Sequence, residues 1–375
     1  MEFMEECPQN YLNIVQLNKR IIFIHSLNNF TGSPNILSIL IREFVSKGYQ
    51  VDLITNKSYG FLSDIENINY RYTSYKWCKS KILTLFLLFW SQIEMFFIIL
   101  IRYRNVKGLF YINTIIPFGA AWACKILRKE MVYHVHENML LSKPLYPIYR
   151  FTYKYCHQKS IFVSKYLQQI TSIQGNSIVA YNSLSPDFSN KILHYNQYTK
   201  PTQKNILMVG SLRQFKGVYE FIELSKQLTQ FSFELVVSAS SQEVEKFKIE
   251  VNPPINLKIF CQQTNLHHFY QRSKLLLNLT HPDKWIETFG LTILEAMAYG
   301  VPAIVPSIGG PTELIENGIN GYTINPKNIS EIAEKICDLI NNKKKYEIFS
   351  KNSLNKFKEF NFEKMISRIE NFINN

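Results

Sequence analysis

Glu287 and Glu295 are separated by seven residues inside the string HPDKWIETFGLTILEAMAYGVPAI. Phe289, Gly290 and Leu291 lead into an apolar stretch that Gly300 and Pro302 end, which predicts a short helix. Glu287 then falls in the loop before that helix and Glu295 in its second turn. A helix start carries unpaired N–H groups and the positive end of the helix dipole, a combination that suits a phosphate or diphosphate. Carboxylates on either side suit hydroxyl groups of a ligand lying across the helix start. Two isolated glutamates at this spacing would ordinarily be solvated helix charges. The string around them, with GGPTE and NGINGY downstream, sets this pair apart.

Cations are available nearby in the chain. Arg213 and Lys216 lie in GSLRQFKGVYEFIEL, just after the apolar run NILMVG. Both sit between a strand's carboxyl end and the next helix, where open α/β sheets bind ligands. Two cations there can neutralise a departing diphosphate without a metal ion. In the first half, MVYHVHEN ends a strand near His136, with His134 on the opposite face if the strand continues. FTGSPN puts Gly32 and Ser33 at a helix start, where backbone can approach a phosphate or an acceptor. No D-x-D occurs, and the six cysteines are far apart with no Cys/His cluster at ligand spacing, so neither a chelated catalytic metal nor structural zinc is expected.

These residues need elements to hold them. IIFIHS, NNFTGSPNILSILIREFVSKG and YQVDLIT read as strand, helix, strand, with Pro34 in the first helical turn and Gly48 as the stop. GLFYINT, MVYHVH and IFVS extend the same parallel sheet. NILMVG, FELVVSA, LKIF, LLLNLT and PAIVP predict a second sheet. NSLSPDFSNKILHYNQYTKPTQ, with Pro186 and Pro201, reads as the linker between them. A chain of 375 residues has room for two cores at roughly 150 residues per domain. The predicted class is α/β with two Rossmann-like, doubly wound domains, 1–190 and 200–359, and an amphipathic helix in 360–375.

Glu287-x7-Glu295, the FG at Phe289–Gly290, EAMAYGVPAI, GGPTE and NGINGY together resemble the donor-binding signature of glycosyltransferase family 4, the retaining GT-B enzymes also called group 1 glycosyltransferases. The resemblance implies that Glu287 contacts hydroxyls of the transferred sugar and Glu295 holds the nucleotide ribose. It places the segment Phe289, Gly290, Leu291 and Thr292 against the diphosphate, which Arg213 and Lys216 neutralise. It puts His136 at the active-site edge, with Glu137 where Asp is commoner. FTGSPN stands for the family's first loop, with one glycine where two adjacent are common. The implied fold is GT-B, with an acceptor-binding first domain and a donor-binding second domain facing a cleft, and the last helix crossing back. The implied activity is metal-independent, retaining transfer of a hexose-type sugar from a nucleotide diphosphate sugar, with no other cofactor. The implied acceptor is a polyprenyl-diphosphate-linked or growing cell-surface saccharide. A nucleotide-sugar epimerase and a silent subunit of the same fold are the alternatives.

Composition narrows the partners. With 46% hydrophobic and 19% charged residues the chain is not disordered. Lys and Arg outnumber Asp and Glu by 42 to 29, a net charge of +13, so an anionic neighbour is expected. No helix-turn-helix, finger or RNP motif points to nucleic acid. The run ILTLFLLFWSQIEMFFIILI, residues 82–101, is long enough to cross a bilayer, but Glu94, Gln92 and Ser91 interrupt it, and a span would part the strands on either side. Lys76, Lys79, Lys81, Arg102, Arg104 and Lys107 flank it. Docking on an anionic leaflet and burial as a core helix both stand open at this level. Glu2, Glu5 and Glu6 occupy the place of a signal peptide's positive charge, so a cytoplasmic protein peripheral to the inner face of the membrane is expected. The Lys-, Asn- and Ile-rich composition suggests a bacterial source.

Overall fold

A computed structural model describes residues 20–138, 145–171, 175–195 and 204–375, with backbone alone for 193–195. Glu2, Glu5, Glu6 and the linker residues 196–203 lie outside them. Two compact units result. One takes the described residues up to Val163 with Thr171–Ala180 and Arg368–Asn375; the other takes Ser164–Ile170 and Tyr181–Ser367.

The first unit is built on seven parallel strands: β1 Arg20–Ile24, β2 Gln50–Asn56, β3 Ile68–Thr73, β4 Leu109–Asn113, β5 Met131–Val135, β6 Lys159–Phe162 and β7 Asn176–Val179. Their order in the sheet is β3-β2-β1-β4-β5-β6-β7. The central strands are buried almost throughout because helices cover both faces, which is why they read as unbroken apolar runs. The second unit holds β8 Asn205–Gly210, β9 Ser232–Val237, β10 Leu257–Phe260, β11 Ser273–Leu277, β12 Ala303–Val305 and β13 Gly321–Thr323, ordered β10-β9-β8-β11-β12-β13. In both sheets the order reverses beside the first strand, between β1 and β4 and between β8 and β11. The crevice outside the carboxyl ends of such a strand pair is where open sheets of this type bind ligands.

Three features differ from the sequence reading. The stretch read as linker contains a helix, Pro186–Tyr195, because Pro186 is pre-set for a first helical turn and Asp187 complements the dipole there. The strands β3 and β13 were not anticipated. Both lie at sheet edges, and β3 alternates between half-buried and exposed positions, with only Thr73 buried, rather than forming an apolar run. The units also trade segments where the sequence suggests one block over 1–190. Glu313 accepts the N–H groups of Lys165 and Tyr166 and the Tyr181 hydroxyl, at 3.1, 2.8 and 2.7 Å, which ties those residues to the second unit. The last helix, Phe362–Asn374, divides at residue 368, and its Glu370 accepts from Lys47 (2.6 Å) and Tyr49 (3.1 Å) of the first unit.

Candidate functional site

In the second unit, the loops leaving β8 and β11 meet at the point where the strand order reverses. After Gly210 the chain makes a short 3-10 turn, Gln214–Lys216, closed by Gly217 at φ +83°. A side chain on Gly217 would sit 2.3 Å from the Leu279 carbonyl, so only glycine lets the two loops close. His281 N–H donates to the Phe215 carbonyl at 2.8 Å and fastens them. The result is a direct link between cation and carboxylate: Lys216 Nζ donates to Glu287 Oε2 at 2.7 Å, each side chain about one fifth exposed. Arg213 is exposed at the same loop, its guanidinium 5.8 Å from the centre of the Phe215 ring.

The Glu287 loop is locked from its other side. Gly310 N–H donates to the Glu287 carbonyl at 2.9 Å. A Cβ on Gly310 would lie 2.0 Å from the Thr288 carbonyl oxygen, and one on Gly309 would lie 2.5 Å from that of Glu287. The two glycines of GGPTE thus fix the backbone that presents Glu287. Gly290, at φ +107°, turns the chain into the helix Leu291–Ala298. Leu291 and Thr292 are half-buried in its first turn, whereas the Phe289 side chain is 2% exposed and packs beside Tyr181 and Phe360. Of that four-residue segment, Phe289 therefore offers a ligand at most its backbone.

Glu295, in the second turn of the helix Leu291–Ala298, is held by a tyrosine that the sequence motifs do not contain. The buried Tyr270, from the helix His267–Arg272, donates its hydroxyl to Glu295 Oε2. Burial pushes the Glu295 carboxyl up to about 7, and the Tyr270 hydrogen bond works in the opposite direction. Glu295 thus changes charge near neutral pH, unlike an ordinary surface glutamate.

In the first unit, four groups converge outside β1 and β4. His136 follows β5, and its Nε2 lies 2.9 Å from Asn113 Oδ1 at the end of β4. Asn113 Nδ2 lies 3.1 Å from His25 Nδ1 and donates to the Ser33 carbonyl at 3.3 Å. Asn113, which the sequence reading did not single out, therefore joins His136 to Ser33. Its only signal was its place at the end of a strand in the middle of the sheet. Gly32 and Ser33 open the helix Gly32–Ser46, Gly32 exposed and Ser33 half-buried, with no acidic residue in the first turn.

The expected opposition of His134 and His136 does not occur. Residues two apart along a strand share a face, so the two side chains lie together, their rings tilted at 49° with centres 4.2 Å apart. His134 is a core residue whose Nδ1 faces the Tyr111 hydroxyl at 2.9 Å. Burial drives the ring nitrogens of His25 down to about 4 and of His134 to about 3, and holds His136 well below its usual range, the other two adding to the effect. His136 is therefore neutral at physiological pH. Glu137 accepts backbone N–H groups of Ile115, His136 and itself, yet burial carries it up to about 7. Among the described residues, no group of three or more His, Cys, Asp or Glu is placed to hold a metal ion.

Comparison with known proteins gives this geometry a context. A family model, glycosyl transferases group 1, matches residues 191–356. An uncharacterized glycosyltransferase of Methanocaldococcus jannaschii is 27% identical over 240 residues, covering 62% of this chain and 64% of the relative, so the match spans less than two thirds of that protein. Among solved structures, Anabaena Alr3699/HepE in complex with UDP and glucose superposes with a TM-score of 0.75 at 19% identity, over 94% of this chain and 99% of that one. A sucrose-phosphate synthase from Thermosynechococcus elongatus does so with 0.76 at 16% identity, over 94% and 98%. At such identities the likeness establishes the fold, two Rossmann-like domains of the GT-B class.

Proposed function

We infer that this chain, whose residues 191–356 match the family model of group 1 glycosyl transferases, transfers a hexose-type sugar from a nucleotide diphosphate sugar, with retention of configuration and without a metal ion. The acceptor in this reading is a lipid-linked or growing cell-surface saccharide. The observation that carries the proposal is the Lys216–Glu287 pair at the reversal point of the second sheet, beside the helix start at Gly290–Leu291.

A departing nucleoside diphosphate needs positive charge where its phosphate oxygen leaves. Lys216, Arg213 and the amides of Leu291 and Thr292 supply it from fixed loops, so little reorganisation accompanies the step. Glu287, held by the Gly309–Gly310 backbone, accepts sugar hydroxyls, and Glu295 accepts those of the ribose. In front-face attack the bond from the anomeric carbon to the β-phosphate oxygen breaks while the acceptor oxygen bonds to the same face. The acceptor's proton passes to the departing phosphate oxygen. His136, neutral and oriented by Asn113, has a ring N–H or lone pair to offer a hydroxyl of sugar or acceptor.

The test is saturation-transfer NMR of the purified protein in EDTA with UDP-, GDP-, ADP- and dTDP-sugars, repeated with Glu295→Ala and Lys216→Ala. UDP-glucose is the first to try because Anabaena Alr3699/HepE was solved with it. Expected are metal-free binding of one donor, loss of that binding in Glu295→Ala, and a lowered transfer rate in Lys216→Ala. Binding that requires a divalent ion, or a product of inverted anomeric configuration, would remove the corresponding part of the proposal.

A further inference from the structure

The helix Lys81–Arg102 is apolar on both faces: Leu88, Met95 and Ile99 are buried, and a second apolar stripe is exposed. Its exposed positions Ile82, Phe86, Trp90, Ile93, Phe97 and Ile101 recur at steps of four, four, three, four and four, so they form one stripe along the helix. From end to end that stripe runs about 28 Å at 1.5 Å per residue. Ile82 is 84% exposed, Phe86 61% and Ile101 70%. The polar residues face inward and are satisfied there. Ser91 Oγ donates to the Leu88 carbonyl at 2.7 Å, and Gln92 Oε1 accepts Gly119 N–H at 3.2 Å. The helix approaches its neighbour, Phe118–Ile126, so closely at that point that a Cβ on Gly119 would be 2.0 Å from the Gln92 carbonyl oxygen. Glu94 is taken up by Ser74, whose N–H and hydroxyl both donate to it, and by Trp90 Nε1 at 3.0 Å.

A soluble helix of this length normally turns its apolar stripe to the core. Here Leu88, Met95 and Ile99 face the core, yet a second apolar stripe is turned outward, and its surroundings are cationic. The helix crosses from β3 to β4, so it lies on the same face of the sheet as the helices Phe118–Ile126 and Tyr146–Cys156, which connect β4 to β5 and β5 to β6. Those three helices contain Lys81, Arg102, Lys125, Arg150 and Lys154 against a single acid, Glu94. Exposed Ile126, Phe151 and Tyr155 continue the apolar surface among them. Lys76, Lys79, Arg104 and Lys107 are exposed in the segments on either side of the long helix.

We propose that this face of the first unit docks flat on an anionic phospholipid bilayer, the stripe Ile82–Ile101 entering the headgroup and acyl boundary and the flanking Lys and Arg residues meeting lipid phosphates. An apolar stripe rimmed by cations is the chemistry of an interfacial helix. Crossing the bilayer is a different matter. β3 and β4 belong to one parallel sheet, so a spanning helix would have to pull them to opposite sides of the membrane. A protein partner would be matched by its own apolar groove, but the excess of positive charge around the stripe favours a surface that is negative everywhere.

The experiment is vesicle flotation of the full chain with phosphatidylcholine alone and with a 7:3 phosphatidylcholine–phosphatidylglycerol mixture. Expected is binding to the anionic vesicles that weakens as salt is raised. Each Lys or Arg near such a surface contributes about fivefold, so the triple variant Arg102→Ser, Arg104→Ser, Lys107→Ser should bind roughly a hundredfold more weakly. The variant Phe86→Ser, Ile93→Ser, Phe97→Ser should lose binding while keeping its far-ultraviolet circular dichroism and melting temperature. Four results overturn the proposal: folded protein that stays unbound on the anionic vesicles, unfolding of the serine variant, a dimer in sedimentation that the serine variant disrupts, or resistance to alkaline extraction from cell membranes. No donor or acceptor enters these measurements, so they succeed or fail independently of the transferase reading.

Discussion

Glu295 makes donor binding a function of pH, with a sign and a midpoint that follow from its surroundings. Its carboxyl is pushed up to about 7 by burial, and only the ionised form accepts both hydroxyls of a ribose diol. The nucleotide sugar has no group that titrates between pH 6 and 8, since its diphosphate is esterified at both ends. Affinity should therefore fall as pH drops: with a midpoint of 7, the ionised fraction goes from about nine tenths at pH 8 to about one tenth at pH 6, a roughly tenfold weakening, about 1.4 kcal/mol. Titration calorimetry with the donor identified by NMR measures it directly. In Glu295→Gln the profile should be flat. Tyr270→Phe supplies the sharper check, because it removes the hydrogen bond that favours the carboxylate while leaving the burial that opposes it. A hydrogen bond to a charged group contributes about 1.5–3 kcal/mol, so the midpoint should climb by about one pH unit or more. A wild-type profile that is level from pH 6 to 8, or a midpoint that moves down in Tyr270→Phe, would refute the reasoning. Glu137 also titrates near 7, and a slope that survives in Glu295→Gln would transfer the assignment to it.

Gly310→Ala drives a methyl group to within 2.0 Å of the Thr288 carbonyl, so the Glu287 loop must shift. Urea unfolding should show a loss of about 1–3 kcal/mol together with weakened donor binding, whereas Gly210→Ala, whose added Cβ meets nothing within 4 Å, should change neither. Acid should open the first unit before the second. His25 and His134 are held neutral, so their share of stability is complete above pH 6.5 and is lost as pH falls toward about 4 and 3, about 2 kcal/mol each by pH 5. Glu137, raised to about 7, runs the other way: its share is complete below about 4.5 and is lost as pH rises through 7, so it offsets about one histidine between pH 7 and 5. His136 adds to the histidine side, and segment-resolved hydrogen exchange at pH 7 and pH 5 should find β1, β4 and β5 losing protection at the lower pH; equal loss in β8 and β11 would contradict this.

What could be read in the sequence divides along a physical line. The central strands IIFIHS and NILMVG announce themselves because a strand covered on both faces and paired on both edges leaves no polar position, so composition alone marks it. β3, with INYRYT alternating inward and outward at an edge, satisfies its fold with half that signal, and β13 does so with three residues that begin with glycine. The same contrast governs the site. Glu287, Gly290 and Glu295 lie within one helix and the loop before it, so their relation is a spacing, and spacing is what a sequence preserves. Asn113 meets His136 across 23 positions and Ser33 across 80, and Tyr270 meets Glu295 across 25. Those relations exist only after the sheet orders have been set, because strand neighbours bring them together. Even the polarity of the 81–102 helix follows this rule. Its composition reads equally well as core or as membrane surface, and the difference rests on Gln92 and Ser91 finding partners inside while Phe86, Ile93 and Phe97 stay exposed. Which side of an apolar helix is inside is decided by where its few polar atoms can be satisfied, since an unpaired buried amide costs more than an exposed phenylalanine.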